Sequence, residues 1–303
     1  MSIVDKIIKN RTYFKSYFSN FNKILGIKIF DVTLRDGLQS IPLNEEQNFT
    51  FENKLKLLNH INEEYSPNDI ELGSIVSPKI LPILKDSMKL YDYHSQNYNN
   101  GYILIPSKNR LKTGINNGVT NFSFITSVSN SFQERNTKRS VEQNKNELIE
   151  MMYEIFSNEK IINPSIKLYI SCINHCPIEG KISLTKIINE IKFYQERVKP
   201  DIICLSDTCG TLEEEDFINI IEGCYYSNID IDKISLHLHV KNDENVKKMI
   251  NIALKNNIKM FDLSLLNTGG CSVTMGREYT NKNLTYELFY EAIFEYLINE
   301  KKY

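Results

Sequence analysis

The feature that most constrains this chain is a regular alternation. Short apolar, β-rich runs recur at residues 28–34 (KIFDVTL), 69–76, 102–106, 121–126, 167–172, 201–205, 233–240 and 260–266. Most are too continuously apolar for half-exposed antiparallel strands. They read as strands buried on both faces of a parallel sheet. Charged segments with helical spacing lie between them, among them 46–63, 141–156, 184–198, 213–224, 242–256 and a closing 284–297. Eight such alternations in 303 residues suit a (β/α)8 barrel, which takes roughly 250 residues. A doubly wound open sheet is the alternative, and it usually shows a Gly-rich turn after its first strand. Here that position holds Arg35-Asp36-Gly37-Leu38-Gln39, without the spacing that cradles a dinucleotide. The expected fold is therefore an α/β chain, a TIM-type barrel over residues 27–303, preceded by a helical extension over 1–26. The extension is basic and amphipathic, and Asp5 with the lack of an Arg/Ser bias favours an added helix packed on the barrel over a mitochondrial presequence.

Composition narrows the setting. The hydrophobic fraction of 41% and the charged fraction of 24% are those of an ordinary soluble domain. A net charge of −2 points neither to nucleic acid nor to an anionic membrane. No apolar run approaches the roughly 20 residues of a membrane span. The six cysteines, several inside apolar runs, read as reduced thiols of an intracellular protein. The expected compartment is the cytoplasm, with the mitochondrion as second choice; the final Lys301-Lys302-Tyr303 is not a peroxisomal address.

A β/α barrel places its site at the C-terminal ends of its strands, so polar residues there carry the functional signal. Strand 1 ends in Arg35-Asp36, strand 2 carries Glu71 and Ser74, and strand 4 leads to Ser127 and Ser129. Strand 5 ends at Cys172, before Asn174 and Cys176. Strand 6 ends in Asp207-Thr208, strand 7 holds His237 and His239, and strand 8 leads to Asn267, Gly269, Gly270 and Cys271. Residues i and i+2 of a strand share a face, so His237 and His239 can meet one metal ion, or can be two hydrogen-bonded core histidines. Asp36 at the end of strand 1 adds a carboxylate close by. That donor set suits Mg²⁺ or Mn²⁺, with Zn²⁺ as a further candidate. Cys172-x₃-Cys176 lacks metal or redox spacing and reads as structural thiols. Cys271 follows two glycines in a loop, as a proton donor or nucleophile or as an incidental thiol.

These motifs together resemble a known family. Asp31-x-Thr33-x-Arg35-Asp36-Gly37-x-Gln39 resembles the signature of the barrel metal-dependent lyases and Claisen-type synthases, the superfamily with a pyruvate carboxyltransferase-like domain. The HxH of strand 7 is a second shared mark. Within that superfamily, RDGLQ at 35–39, SIVSPK at 74–79, YISC at 169–172, CPIEGKIS at 176–183, GGC at 269–271 and NLxxE at 283–287 resemble the 3-hydroxy-3-methylglutaryl-CoA lyases. The likeness runs from about Ile27 to the C-terminus.

The resemblance implies roles residue by residue. Asp36, His237 and His239 match metal ligands, and Asn283 matches the further asparagine ligand, with Asn281 as the alternative because the loop after Cys271 is longer here. Arg35 matches the arginine that stabilises an enolate. Glu71, Asp207 and Glu287 match acidic residues near the site, and Cys271 matches the cysteine that handles the acetyl-CoA carbanion. The family's Asp after the second histidine is Val240 here, its Pro after the cysteine is Ser272, and a glycine before GGC is Asn267. The implied activity is divalent-metal-dependent cleavage of a 3-hydroxy-3-methylglutaryl-CoA-like thioester to acetyl-CoA and acetoacetate, by a homodimer whose partner is a small acyl-CoA rather than nucleic acid or membrane. Two alternatives stand beside it: a synthase joining acetyl-CoA to a 2-oxo acid, and a non-catalytic binding barrel.

Overall fold

The computed structural model describes residues 3–9, 22–270, 272–275 and 281–300. Eight strands form its core: β1 (Lys28–Asp31), β2 (Asp69–Ser74), β3 (Gly101–Leu104), β4 (Asn121–Ser127), β5 (Ser165–Ser171), β6 (Ile202–Asp207), β7 (Ile234–Val240) and β8 (Met260–Leu263). Each pairs in parallel with the next, and β8 pairs with both β7 and β1. The sheet therefore closes into a ring, a (β/α)8 TIM barrel. Closure explains the near-continuous apolar runs. Every residue of β3 and β7 is buried, because one face meets the barrel interior and the other meets helices.

Those helices are α1 (Phe51–His60), α2 (Ser87–Ser95), α3 (Lys108–Asn116), α4 (Val141–Phe156), α5 (Leu184–Phe193), α6 (Glu214–Tyr226), α7 (Asp243–Lys255) and α8 (Tyr286–Glu300). Their starts are set by side chains that accept an orphan backbone N–H. Thr50, Ser183 and Asn242 do this for α1, α5 and α7, and Ser140 with Gln143 forms a capping box for α4. In α7, Val246, Met249, Ile250, Ala253 and Leu254 are buried, the i, i+3, i+4, i+7, i+8 stripe of an amphipathic helix. Each large apolar side chain in such a stripe contributes about 1.5–3 kcal/mol when fully buried. A carboxylate at Ile250 would break that seam, since nothing there could pair it.

Three departures from the sequence pattern have physical causes. The first run ends as a strand at Asp31, and Thr33–Gly37 forms a π-helical turn closed by Gly37 N–H to Val32 C=O at 3.0 Å. The Asp31 carboxylate drives the turn by accepting from the Thr33 amide at 2.9 Å and the Thr33 hydroxyl at 3.0 Å. A Cβ on Gly37 would lie 2.8 Å from Ser264 Oγ, so any larger residue would have to displace that side chain. Segments 46–63 and 184–198 each break their helix with a π turn, Ile61–Tyr65 and Tyr194–Val198, which end in left-handed Ser66 and Lys199. Helices α2, α3 and an extra Asn130–Thr137 after β4 are short and bury few apolar residues, and they leave almost no periodic trace.

Of the N-terminal extension, Ile3–Lys9 is helical with Val4 fully buried, while 1–2 and 10–21 lie outside the described residues. Beyond β8, Lys282–Asn283 returns to pair antiparallel with the end of β7, setting Asn283 opposite His239. Five cysteines among the described residues are buried free thiols. No helix among the described residues is long and apolar enough to cross a membrane.

Candidate active site

The π turn after β1 aims Arg35 and Asp36 into the barrel mouth, and both are buried. Arg35 is held on two sides. Its Nε donates to the Glu71 carboxylate and one η-nitrogen donates to Asp36. Its guanidinium lies 4.8 Å from the centroid of the Tyr169 ring, whose hydroxyl also donates to Glu71 at 3.1 Å. The second η-nitrogen makes no hydrogen bond among the described residues, and Arg35 lines the cavity above. Burial works against the charge on Arg35, but Glu71 and Asp36 outweigh it and hold the group protonated.

His237 and His239 project from the same face of β7, as i and i+2 must, with ring centroids 4.8 Å apart. His237 Nε2 lies 3.8 Å from Asp36 Oδ2, and its Nδ1 lies 3.1 Å from Asp262 Oδ2. One ligand atom from each of Asp36, His237 and His239 lies within 4.8 Å of the others. Burial would raise the Asp36 carboxyl, yet Arg35, both histidines and the Gly270 amide hold it well below the usual range. Burial, then the neighbouring His237, pushes His239 down to about 4. Its Nδ1 is buried and makes no hydrogen bond among the described residues. A neutral imidazole with an idle buried nitrogen beside an ionised carboxylate is a donor set that fits a divalent cation.

The other sequence candidates divide. Asn283 is buried beside His239 and donates to the Thr268 carbonyl at 2.9 Å. A Cβ on Gly269 would lie 2.5 Å from its amide, so that glycine admits Asn283 to the mouth. Asn281 donates instead to the Cys209 carbonyl at 2.8 Å. The Asp207 carboxylate turns out of the cavity and accepts from the Thr211 and Leu212 amides at 3.2 and 2.9 Å. Ser206 and Thr208 on either side of it line the cavity instead, so Asp207 sits on the wrong phase of its strand. Burial, against those amides, raises it to about 6. Glu287 opens α8 and is not among the cavity-lining residues. Cys271 lies outside the described residues. The preceding Gly270 is tied down, its amide to Asp36 at 2.9 Å and its carbonyl to Ser40 and Gln39 at 2.8 and 3.0 Å.

Sequence reasoning passed over Lys167 and Asp262. Both are fully buried, and their side chains pair at 2.5 Å below the histidines. The available signal was two opposite charges inside apolar strands, which must be paired to be buried at all. Burial would raise Asp262, but Lys167 and His237 prevail and lower it.

The mouth opens into a cavity of about 510 Å³. Leu104, Ile125, Phe132, Val76, Ile80 and Leu81 form its apolar wall, and the exposed Arg110 and Lys138 stand where it meets solvent.

The comparisons with known proteins bear on the fold and the family. The mitochondrial hydroxymethylglutaryl-CoA lyase of Macaca fascicularis is 26% identical over 252 residues, covering 82% of this chain and 74% of that protein. Among solved structures, the HMG-CoA lyase of Bacillus subtilis superimposes with a TM-score of 0.75 at 21% identity, covering 89% of this chain and 86% of the other. An Acinetobacter baumannii HMG-CoA lyase in complex with coenzyme A and 3-methylmalate has a TM-score of 0.70 at 21% identity, covering 89% and 83%. These two likenesses bear on the fold. The family model described as HMGL-like matches residues 26–247, well over half of the chain, and on that match the chain belongs to the HMGL-like family.

Proposed function

We propose that this protein is a divalent-metal-dependent carbon–carbon lyase that cleaves a 3-hydroxy-3-methylglutaryl-CoA-like thioester to acetyl-CoA and acetoacetate. The observation that carries the reading is the convergence of Arg35, Asp36, His237 and His239 on one face of the cavity. Asp36, His237 and His239, with Asn283 beside them, would hold the cation. When bound, the cation supplies positive charge that lowers the pKa of a neighbouring hydroxyl.

The chain's own residues do the rest. Asp36 receives the proton of the substrate's C3 hydroxyl. The C2–C3 bond then breaks, its electron pair passing to the thioester fragment while C3 becomes the ketone of acetoacetate. Arg35 is held rigid by Glu71, Tyr169 and Asp36, with one η-nitrogen open to the cavity. It offsets charge on the enolate oxygen. Cys271, the residue after Gly270 in the sequence, returns a proton to the carbon. The exposed Arg110 and Lys138 suit the phosphates of a coenzyme A thioester, and the coenzyme A complex of the Acinetobacter relative supports that ligand class.

The test is incubation of the purified protein with 3-hydroxy-3-methylglutaryl-CoA and Mn²⁺ or Mg²⁺, reading acetoacetate. Turnover that disappears on chelation and returns with the ion is expected. No acetoacetate with any divalent ion, combined with CoA release from acetyl-CoA and a 2-oxo acid, would move the protein to the bond-forming branch.

A further inference from the structure

We propose that the buried Lys167–Asp262 ion pair is a positioning device for His237, fixing its proton on Nδ1 and leaving the Nε2 lone pair turned to Asp36. This rests on the cation reading above and deepens it. Asp262 Oδ1 lies 2.5 Å from Lys167 Nζ, and Asp262 Oδ2 lies 3.1 Å from His237 Nδ1. Both members of the ion pair are completely buried. A carboxylate so paired is an acceptor only. The hydrogen in its contact with His237 therefore belongs to the imidazole, and a neutral imidazole has only one. Nε2 is left bare, 3.8 Å from Asp36 Oδ2.

Lys167 in turn cannot swing away. Its ammonium sits 3.3 Å from the centroid of the Phe30 ring and 4.6 Å from that of Tyr169. The Cys204 thiol, 3.7 Å from Asp262 Oδ2, closes the other side. His239 has no carboxylate behind it among the described residues; its Nδ1 makes no hydrogen bond there, and its ring meets the Lys282 backbone. The position after it, where the family carries an Asp, is Val240. The floor thus orients one histidine of the pair, His237.

The test uses the metal-free full chain, with imidazole ¹⁵N spectra, and Mn²⁺ titration followed by electron paramagnetic resonance. His237 in the wild type is expected as the Nδ1–H tautomer. In Asp262→Asn, Lys167 draws the amide oxygen and turns the NH₂ toward His237, so the ring should switch to Nε2–H. Mn²⁺ affinity should then fall about 10–100-fold. Lys167→Met/Asp262→Leu guards against a folding failure, because an apolar pair of similar volume is tolerated in place of a buried ion pair. It should bind Mn²⁺ as weakly as the single variant. A wild-type His237 protonated on Nε2 overturns the proposal, as does a folded variant with unchanged Mn²⁺ affinity. If the wild type shows Nδ1–H yet takes up no Mn²⁺, the positioning stands and the cation reading falls.

Discussion

Three buried carboxylates in this barrel meet three different fates, and the contrast separates the mouth from the floor. At the mouth, Asp36 is ionised beside Arg35, in a cluster that leaves Glu71 Oε1 and His239 Nδ1 without hydrogen bonds among the described residues. On the floor, Asp262 is ionised beside Lys167, with each carboxylate oxygen spoken for. Behind both, Asp31 has no cationic partner among the described residues, and burial pushes its carboxyl up to about 7. Buried charge survives where an opposite charge is supplied and is surrendered where it is not. The mouth differs from the floor in opening into a cavity of about 510 Å³, and polar groups left without partners beside a cavity are where a ligand gains most.

The sharpest way to break this contrast is at Arg35. Arg35→Lys keeps the charge but loses the planar fork that grips Glu71 and Asp36 together. In the acetoacetate assay kcat should fall about 10²–10³-fold, and a kcat within twofold of wild type would remove Arg35 from the chemistry. The floor should respond in stability instead. Lys167→Met strands the Asp262 charge and should cost about 3–5 kcal/mol by urea unfolding, with most of the loss recovered when Asp262→Leu is added. Equal stability of the single and double variants would show that the floor is not an ion pair in solution.

A third test lies at Asp31. Its folded pKa of about 7 lies above its ordinary value of 3.8. Between those values the folded chain keeps a proton that the unfolded chain has lost, so stability declines as pH rises from about 4 to 7 and then levels. Relative to Asp31→Asn, the wild-type urea midpoint should drop across that window. Parallel profiles for the two proteins would mean that Asp31 titrates normally.

The barrel was legible because closure buries both faces of every strand, and that leaves apolar runs such as ISLHLHV at Ile234–Val240. His237, His239, Asp36 and Glu71 stood out as polar residues interrupting such runs near their ends. The same double burial hid the phase of each strand. In Ile202–Asp207 nothing in the pattern said that Ser206 faces the cavity and Asp207 does not. Lys167 and Asp262 were invisible as a pair because 95 residues separate them, and only ring closure brings β5 and β8 across one interior. The Arg35–Asp36 turn was taken for strand because its cause, the grip of Asp31 on Thr33, is a side-chain event.

The strand formed by Lys282–Asn283 has a consequence for synthesis. The ring cannot shut until Met260–Leu263 has left the ribosomal exit tunnel to join β7 to β1, and until then both of those strands present open edges. The last piece of the mouth emerges later still, when Asn283 reaches His239. Until both steps are complete the nascent chain is an edge-exposed sheet whose mouth still lacks Asn283.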